Sequence, residues 1–290
     1  MNKKICIVTG STSGIGKETA LELARLGATV IIHGRDRKRG EKIIDNIRND
    51  TKELKAELII SDFSTLEGVK EFAEEFKERY DRLDVLINNA GILIPERRIT
   101  SYGVEMTFAV NHVAPFLLTH LLLDIIKKSK PSRIINVSST AHWGPTINFD
   151  DLLSKTIRWK ITNNIPIKGW REYQQSKLAN ICFTYMLSKR LQGTGVTVNA
   201  LHPGTIRTRI LRERKVINTI MNVFQNFRIT GKQLGSETPI YLATSKDIEG
   251  ITGKYYSNMK ETKTSTESNN QELQKKLWEV SMKIIEDNLR

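Results

Sequence analysis

Within the first 26 residues an apolar strand runs into a glycine-rich turn and then a helix, and this succession limits the fold more than any other feature of the chain. Lys4 to Thr9 reads as the strand. The turn is Thr9-Gly10-Ser11-Thr12-Ser13-Gly14-Ile15-Gly16, and Ile15 to Leu26 carries apolar residues at helical spacing. Glycines remove side chains where a backbone must approach a pyrophosphate, and a helix N-terminus offers free N–H groups and a positive dipole end. The spacing is G-x-x-x-G-x-G rather than G-x-G-x-x-G. Taken alone, such a turn also reads as a tight strand-to-helix connection without a ligand.

The same alternation continues down the chain. Strands are expected at Ala28–His33, Ala56–Ser61, Leu83–Ile87, Arg133–Val137 and Val196–Leu201. Helices are expected at Lys38–Arg48, Leu66–Tyr80, Tyr102–Lys128, Glu172–Leu191 and, at the end, Gln271–Asn288. The strands are near-continuous apolar runs, as in a parallel sheet covered on both faces. The pattern predicts one α/β domain over residues 1–290: a Rossmann-type, doubly wound parallel sheet of about seven strands with helices on both faces. Residues 205–234 are basic and read as a substrate lid, and the polar stretch Glu261–Asn270 reads as a mobile loop.

Composition narrows the class. Hydrophobic residues make up 39% and charged residues 27% of 290, with no apolar run long enough to span a bilayer and no secretory leader, which places the protein in the cytoplasm. Cys6 and Cys182 cannot build a disulfide framework and read as small buried hydrophobes. The net charge of +13 comes without a nucleic-acid-binding motif, so a solvated lysine-rich surface is preferred and no nucleic acid partner is expected. No H-x-x-x-H or C-x-x-C cluster suggests a metal.

Tyr173 and Lys177 lie four apart and share a helix face. A phenol with a pKa near ~10 needs a nearby cation to act as a base at neutral pH, which gives the spacing a mechanistic reason. The same pair is also a common chance pattern. At the end of the second strand His33-Gly34-Arg35-Asp36 has Gly34 where an acid would hold a ribose 2′-hydroxyl. Arg35 can instead pair with a 2′-phosphate, with Lys17 as a second cation, while Asp36 pairs with a neighbouring cation or points away. NADP(H) is therefore expected over NAD(H).

These strings resemble the short-chain dehydrogenase/reductase family. Thr9-Gly10-x-x-x-Gly14-x-Gly16 is similar to its cofactor motif and Asn88-Asn89-Ala90-Gly91 to its second motif. The resemblance implies cofactor contacts at Gly10, Ser11, Thr12, Ser13, Gly14, Ile15, Gly16, Asn89, Ala90 and Gly91, at Asp62 and Phe63 around the adenine, and at Pro203, Gly204 and Thr208 in the nicotinamide-side loop. It implies a catalytic set of Asn111, Ser139, Tyr173 and Lys177, the last two also touching cofactor, with Ser138 the less favoured serine. In the implied reaction Ser139 and Tyr173 hold a substrate oxygen, Tyr173 exchanges its proton, and Lys177 lowers the tyrosine pKa. His33-Gly34-Arg35-Asp36, Asn136 to His142, Gly253 to Ser257 and Leu277 to Ser281 resemble the retinol dehydrogenase-like branch, which includes WW-domain oxidoreductase-like enzymes. That implies a small-molecule carbonyl or alcohol substrate, of retinal-like or other lipophilic character, and leaves a homo-oligomer open.

Two further readings accompany this one. The first is a catalytically idle NADPH-binding sensor on the same fold; the second is a polyanion-binding protein, resting on charge alone. The basic segment 207–232 reads either as a lid with solvated cations or as an interfacial helix making weak peripheral membrane contact.

Overall fold

The computed structural model describes residues 1–51, 56–144, 146–152, 169–204 and 235–289. The strands are β1 (Ile5–Val8), β2 (Thr29–Gly34), β3 (Ala56–Ile60), β4 (Val85–Asn88), β5 (Ser132–Val137), β6 (Val196–His202), β7 (Tyr255–Ser257) and β8 (Lys260–Glu261). They form one sheet in the order β3-β2-β1-β4-β5-β6-β7-β8. All neighbours are parallel except β7 and β8. The eighth strand is an addition to the seven expected. It is a two-residue return after a turn in which Asn258 and Met259 adopt positive φ.

The main helices are α1 (Gly14–Arg25), α2 (Arg37–Thr51), α3 (Leu66–Arg79), α4 (Met106–Lys128), α5 (Trp170–Arg190), α6 (Glu237–Thr244) and α7 (Gln271–Asn288). Alternate residues of β1 enter different cores: Cys6 and Val8 join one buried cluster, Ile7 the other. Both faces are thus covered, which explains the continuous apolar strands. Cys6 and Cys182 are free and buried. By length and composition α4 could cross a membrane, yet 78% of its apolar window is buried inside the protein, so it is core.

Two expectations need correction. The long helix begins at Met106, not Tyr102, because Gly103 takes φ +82 and Glu105 caps the first turn through Phe108 N at 3.0 Å. The stretch Glu261–Asn270 is held in place rather than a mobile loop. Ser265 is 5% and Ser268 0% exposed, and their hydroxyls bond within the segment. The terminal helix packs as core through Leu273, Leu277, Ile284 and Ile285.

The sheet order reverses between β1 and β4. The glycine turn leaves β1 there, and the Asn88-Asn89-Ala90-Gly91 segment leaves β4 beside it, so the carboxyl ends open a crevice at the topological switch point.

Candidate active site

The glycine turn is built by Thr9, the first residue of the motif, which the sequence reading gave no role of its own. Its hydroxyl accepts from Asn89 N and Ala90 N, both at 2.9 Å, while Asn89 Nδ2 donates to Thr9 O at 2.7 Å. Gly10 has φ +65, and a Cβ there would lie 2.8 Å from Ala90 Cα; at Gly16 a Cβ would lie 2.3 Å from Asn89 Nδ2. The two motifs therefore pack at backbone contact, and no larger residue fits at either position. Ser11 is fully buried and turned inward, its N–H and hydroxyl both used on the His33 backbone.

His33 supports the turn from the other side. Gly10 N donates to its Nδ1 at 3.0 Å and its Nε2 faces Ser61 O at 3.3 Å, which assigns the proton to Nε2. Its ring stacks on Phe63 with centroids 3.8 Å apart. Burial holds the imidazole neutral, its pKa down to about 4.

The start of α1 fits a phosphate. Ser13 makes no side-chain cap, the first turn carries no acid, and the space beside Gly14, at φ +58, is open for 4 Å. The first-turn N–H groups thus lack a side-chain cap or a neighbouring acid at the positive end of the helix dipole. Thr12 and Ile15 flank this turn, partly exposed. At the end of β2 a Cβ on Gly34 would meet Thr12 Cγ2 at 2.5 Å and Oγ1 at 2.8 Å, so any side chain there, an acid included, must displace Thr12 of the turn. Arg35 projects with 66% exposure, 3.9 Å from Asp62 Oδ1. Asp36 pairs with Arg39 at 2.9 Å and also accepts its N–H, so this acid is occupied. Lys17 lies beside Glu18 at 3.4 Å.

The second half of the site gathers at the ends of β5 and α5. Ser138 is fixed by its hydroxyl on Lys177 O at 2.7 Å, which leaves Ser139 as the free-facing serine. Ser139 caps the 3-10 turn Thr140–Trp143, accepting from Ala141 N at 3.2 Å. Across from it stands Tyr173, stacked on Trp170 at 5.5 Å and close enough to the Ser139 side chain for that hydroxyl to lower its pKa. Lys177 is buried; its Nζ donates to Val137 O at 3.0 Å and lies 5.4 Å from the Tyr173 ring centroid. A Cβ on Gly91 would lie 3.6 Å from Lys177 Nζ and 3.3 Å from Asn111 Oδ1, so the turn after β4 reaches the lysine.

Asn111 sits in a π turn, Ala109–Val113, that interrupts α4. Its Oδ1 accepts from Ile92 N at 2.7 Å, and its Nδ2 donates to Ile92 O and to Ser176 Oγ at 2.9 and 3.0 Å. Ser176 in turn donates to Tyr173 O at 2.7 Å, a link the sequence reading missed. Pro203 and Gly204 follow β6 at the same edge, Gly204 at φ +91. Thr208 and the segment 207–232 lie outside the described residues.

Burial raises the Tyr173 phenol to about 12, and the Ser139 side chain only partly opposes this. Burial also lowers Lys177 to about 8. Desolvation is the main cause of the Tyr173 shift in this arrangement, in which the Lys177 amine is turned to the Val137 carbonyl.

The chain matches the short chain dehydrogenase family over residues 4–149. Human retinol dehydrogenase 13 is 39% identical over 287 residues, which cover 97% of this chain and 84% of that protein. Human retinol dehydrogenase 12 is 40% identical over 282 residues, covering 97% and 86%. This chain is a short-chain dehydrogenase. Within that family it belongs to the retinol dehydrogenase-like branch, and it is an oxidoreductase. Among solved structures, an uncharacterized protein from Mycobacterium paratuberculosis superposes with a TM-score of 0.77 at 28% identity, over 98% of this chain and 94% of that one. A Pseudomonas aeruginosa RhlG/NADP active-site complex gives 0.70 at 22% identity, over 89% and 95%, and shares the fold.

Proposed function

We propose that this dehydrogenase transfers hydride between NADP(H) and a carbonyl/alcohol pair on a lipophilic small molecule, an aldehyde or ketone of retinal-like or other skeleton. The observation that carries the reading is buried Lys177, its Nζ 5.4 Å from the Tyr173 ring centroid and reached by the turn after β4 at Gly91, with Ser139 beside the phenol. The uncapped N-terminus of α1, the open space at Gly14, the glycine at position 34 packed against Thr12 and exposed Arg35 support a phosphorylated dinucleotide. Pro203 and Gly204 would line its nicotinamide side, and Asp62 and Phe63 its adenine side. When bound, NADPH supplies the hydride.

The remaining chemistry belongs to the side chains. Ser139 and Tyr173 place two hydroxyls toward one substrate oxygen. The raised phenol stays protonated at neutral pH, which suits it to give its proton as the oxygen gains charge during reduction; the reverse reaction returns the proton to the phenolate. Lys177, its Nζ 5.4 Å from the ring centroid, is placed to stabilise the phenolate left behind. Asn111 holds the chain segment at Ile92 and, through Ser176, the Tyr173 carbonyl, which sets where α5 presents the phenol. An idle sensor has no use for a hydroxyl pair kept at a buried lysine. The two buried free thiols agree with a cytoplasmic setting.

The test is a panel of aldehydes and ketones followed by NADPH absorbance. Tyr173→Phe lowers turnover by roughly 10²- to 10⁴-fold, the span general acid catalysis contributes, and leaves NADPH binding within about twofold of wild type. A Tyr173→Phe enzyme that reduces carbonyls at the wild-type rate would overturn the reading.

A further inference from the structure

We propose that His142 is a positioning residue for the active site, a neutral imidazole bridge that ties the loop of Ser139 to the C-terminal segment. The inference rests on the reading of Ser139 as a catalytic residue. His142 is 0% exposed and lies at the third position after Ser139. Its Nδ1 is 2.7 Å from Ser139 O, and its backbone N–H donates to the same carbonyl at 3.1 Å. On the far side of the ring, Ser265 N donates to Nε2 at 3.2 Å, a contact 123 residues away in sequence.

The partners assign the tautomer. A carbonyl oxygen only accepts, so Nδ1 carries the proton; a backbone N–H only donates, so Nε2 is bare. Both nitrogens are therefore committed, each to a different segment. Ser265 is itself anchored: its carbonyl accepts from Ser268 Oγ at 2.6 Å and from Asn269 Nδ2 at 2.9 Å. Ser268 O accepts from Gln274 Nε2 on α7 at 2.7 Å. A continuous chain of bonds thus runs from the terminal helix to the backbone of Ser139.

A buried core histidine needs only to satisfy its own nitrogens. This one spends its short bond on the carbonyl of the residue whose hydroxyl must meet Tyr173. The Ser139 hydroxyl also caps its own 3-10 turn through Ala141 N, so its direction follows the backbone of that turn. Rotating the peptide at Ser139 would turn the hydroxyl from the phenol. His142 does not itself touch Tyr173 in any described contact, so its effect passes through Ser139. The edge of the Tyr255 ring, with centroids 5.0 Å apart, packs the imidazole in place.

Two substitutions separate the halves of the bridge. His142→Asn places an amide N–H where Nδ1–H stands and keeps the bond to Ser139, but gives up Ser265. His142→Gln places an oxygen where Nε2 stands and keeps Ser265, but gives up Ser139. With the best aldehyde of the panel, His142→Gln is expected to lose roughly 10- to 100-fold in kcat, the range a misplaced catalytic group costs, with carbonyl KM and NADPH Kd within about threefold. His142→Asn is expected to recover kcat to within about threefold of wild type. On a Ser139→Ala background His142→Gln should add almost nothing, because the group it positions is gone. Full additivity on that background, or equal kcat losses in the two variants that track their loss of stability, would overturn the proposal. Ser139→Ala alone with wild-type turnover would instead refute the role of Ser139. Independently of turnover, ¹⁵N NMR of the imidazole is expected to show the Nδ1–H tautomer with an exchange-protected proton; an Nε2–H tautomer would refute the bridge.

Discussion

Exchanging cofactor preference in this enzyme is expected to need two substitutions. The obvious change is Gly34→Asp, which places a carboxylate where a ribose 2′-hydroxyl would be bound. A Cβ at position 34 would lie 2.5 Å from Thr12 Cγ2 and 2.8 Å from Thr12 Oγ1. Thr12 belongs to the turn that faces the pyrophosphate, so the clash is transmitted to the cofactor site. Overpacking of this kind costs about 1–3 kcal/mol, or roughly 5- to 150-fold in Kd. A new charge-assisted hydrogen bond to the 2′-hydroxyl contributes about 1.5–3 kcal/mol, so the two terms nearly cancel for NADH. For NADPH they add, since the carboxylate also repels the 2′-phosphate. Gly34→Asp alone should therefore weaken NADPH by about 100-fold or more and leave NADH within about fivefold of wild type. Thr12→Ala/Gly34→Asp removes both offending atoms and leaves only the Thr12 Cβ position at 3.2 Å. The double variant should then gain roughly tenfold for NADH over Gly34→Asp. Fluorescence titration of each enzyme with each cofactor measures this, with Thr12→Ala alone as control. A single Gly34→Asp enzyme that gains tenfold for NADH at unchanged stability would refute the steric argument.

Arg35→Ala should cost about 10-fold in NADPH affinity, near the low end for a charge-assisted contact because the side chain is 66% exposed, and under twofold for NADH; equal losses would remove Arg35 from the phosphate site. Asp84, with a side chain 1% exposed, accepts from Lys4 at 2.8 Å, Ile5 N at 2.9 Å and Arg82 at 2.8 and 2.7 Å. Desolvation alone would raise its pKa, but Arg82, Lys4 and the Ile5 N–H together hold it below the usual carboxylate range. Asp84→Asn is expected to cost about 2–3 kcal/mol in urea unfolding at pH 7, less than a fully buried pair because both cations are partly exposed, and the difference should vanish as pH falls through the depressed value. His33, His112 and His202 are kept neutral by burial, with pKa values near 4, 3 and 4. Between pH 6.5 and 4 the unfolded chain binds protons that the native one does not, so stability falls on acidification. At pH 5 the loss is roughly 2 kcal/mol for each, and His33→Asn should reduce the slope of stability against pH in that window.

The parts of this architecture that were legible in the sequence are those whose signals are local. Strands buried on both faces must be apolar throughout, which is why β1, β2, β4 and β5 stood out within a residue or two. Tyr173 and Lys177 share a helix face by spacing alone, and a glycine turn announces itself between strand and helix. What escaped depends on register and on distant partners. Ser265 and Ser268 look like solvated loop residues, because composition does not distinguish a serine in water from one bonded to a buried carbonyl. The support of Gly10 by His33 exists only once β1 and β2 pair Val8 with Ile32. The direction of Lys177 likewise depends on a carbonyl of β5 that a helix pattern does not reveal. Ser138 and Ser139 show the point most sharply, since adjacent residues leaving a strand face opposite sides. The pairing of Val137 with Leu201, continued by Ser138 N on Leu201 O at 2.7 Å, turns the Ser138 hydroxyl onto the α5 backbone and leaves Ser139 for the phenol. A slip of one residue between β5 and β6 would exchange their orientations, so which serine faces the phenol is a property of the sheet register as much as of the motif.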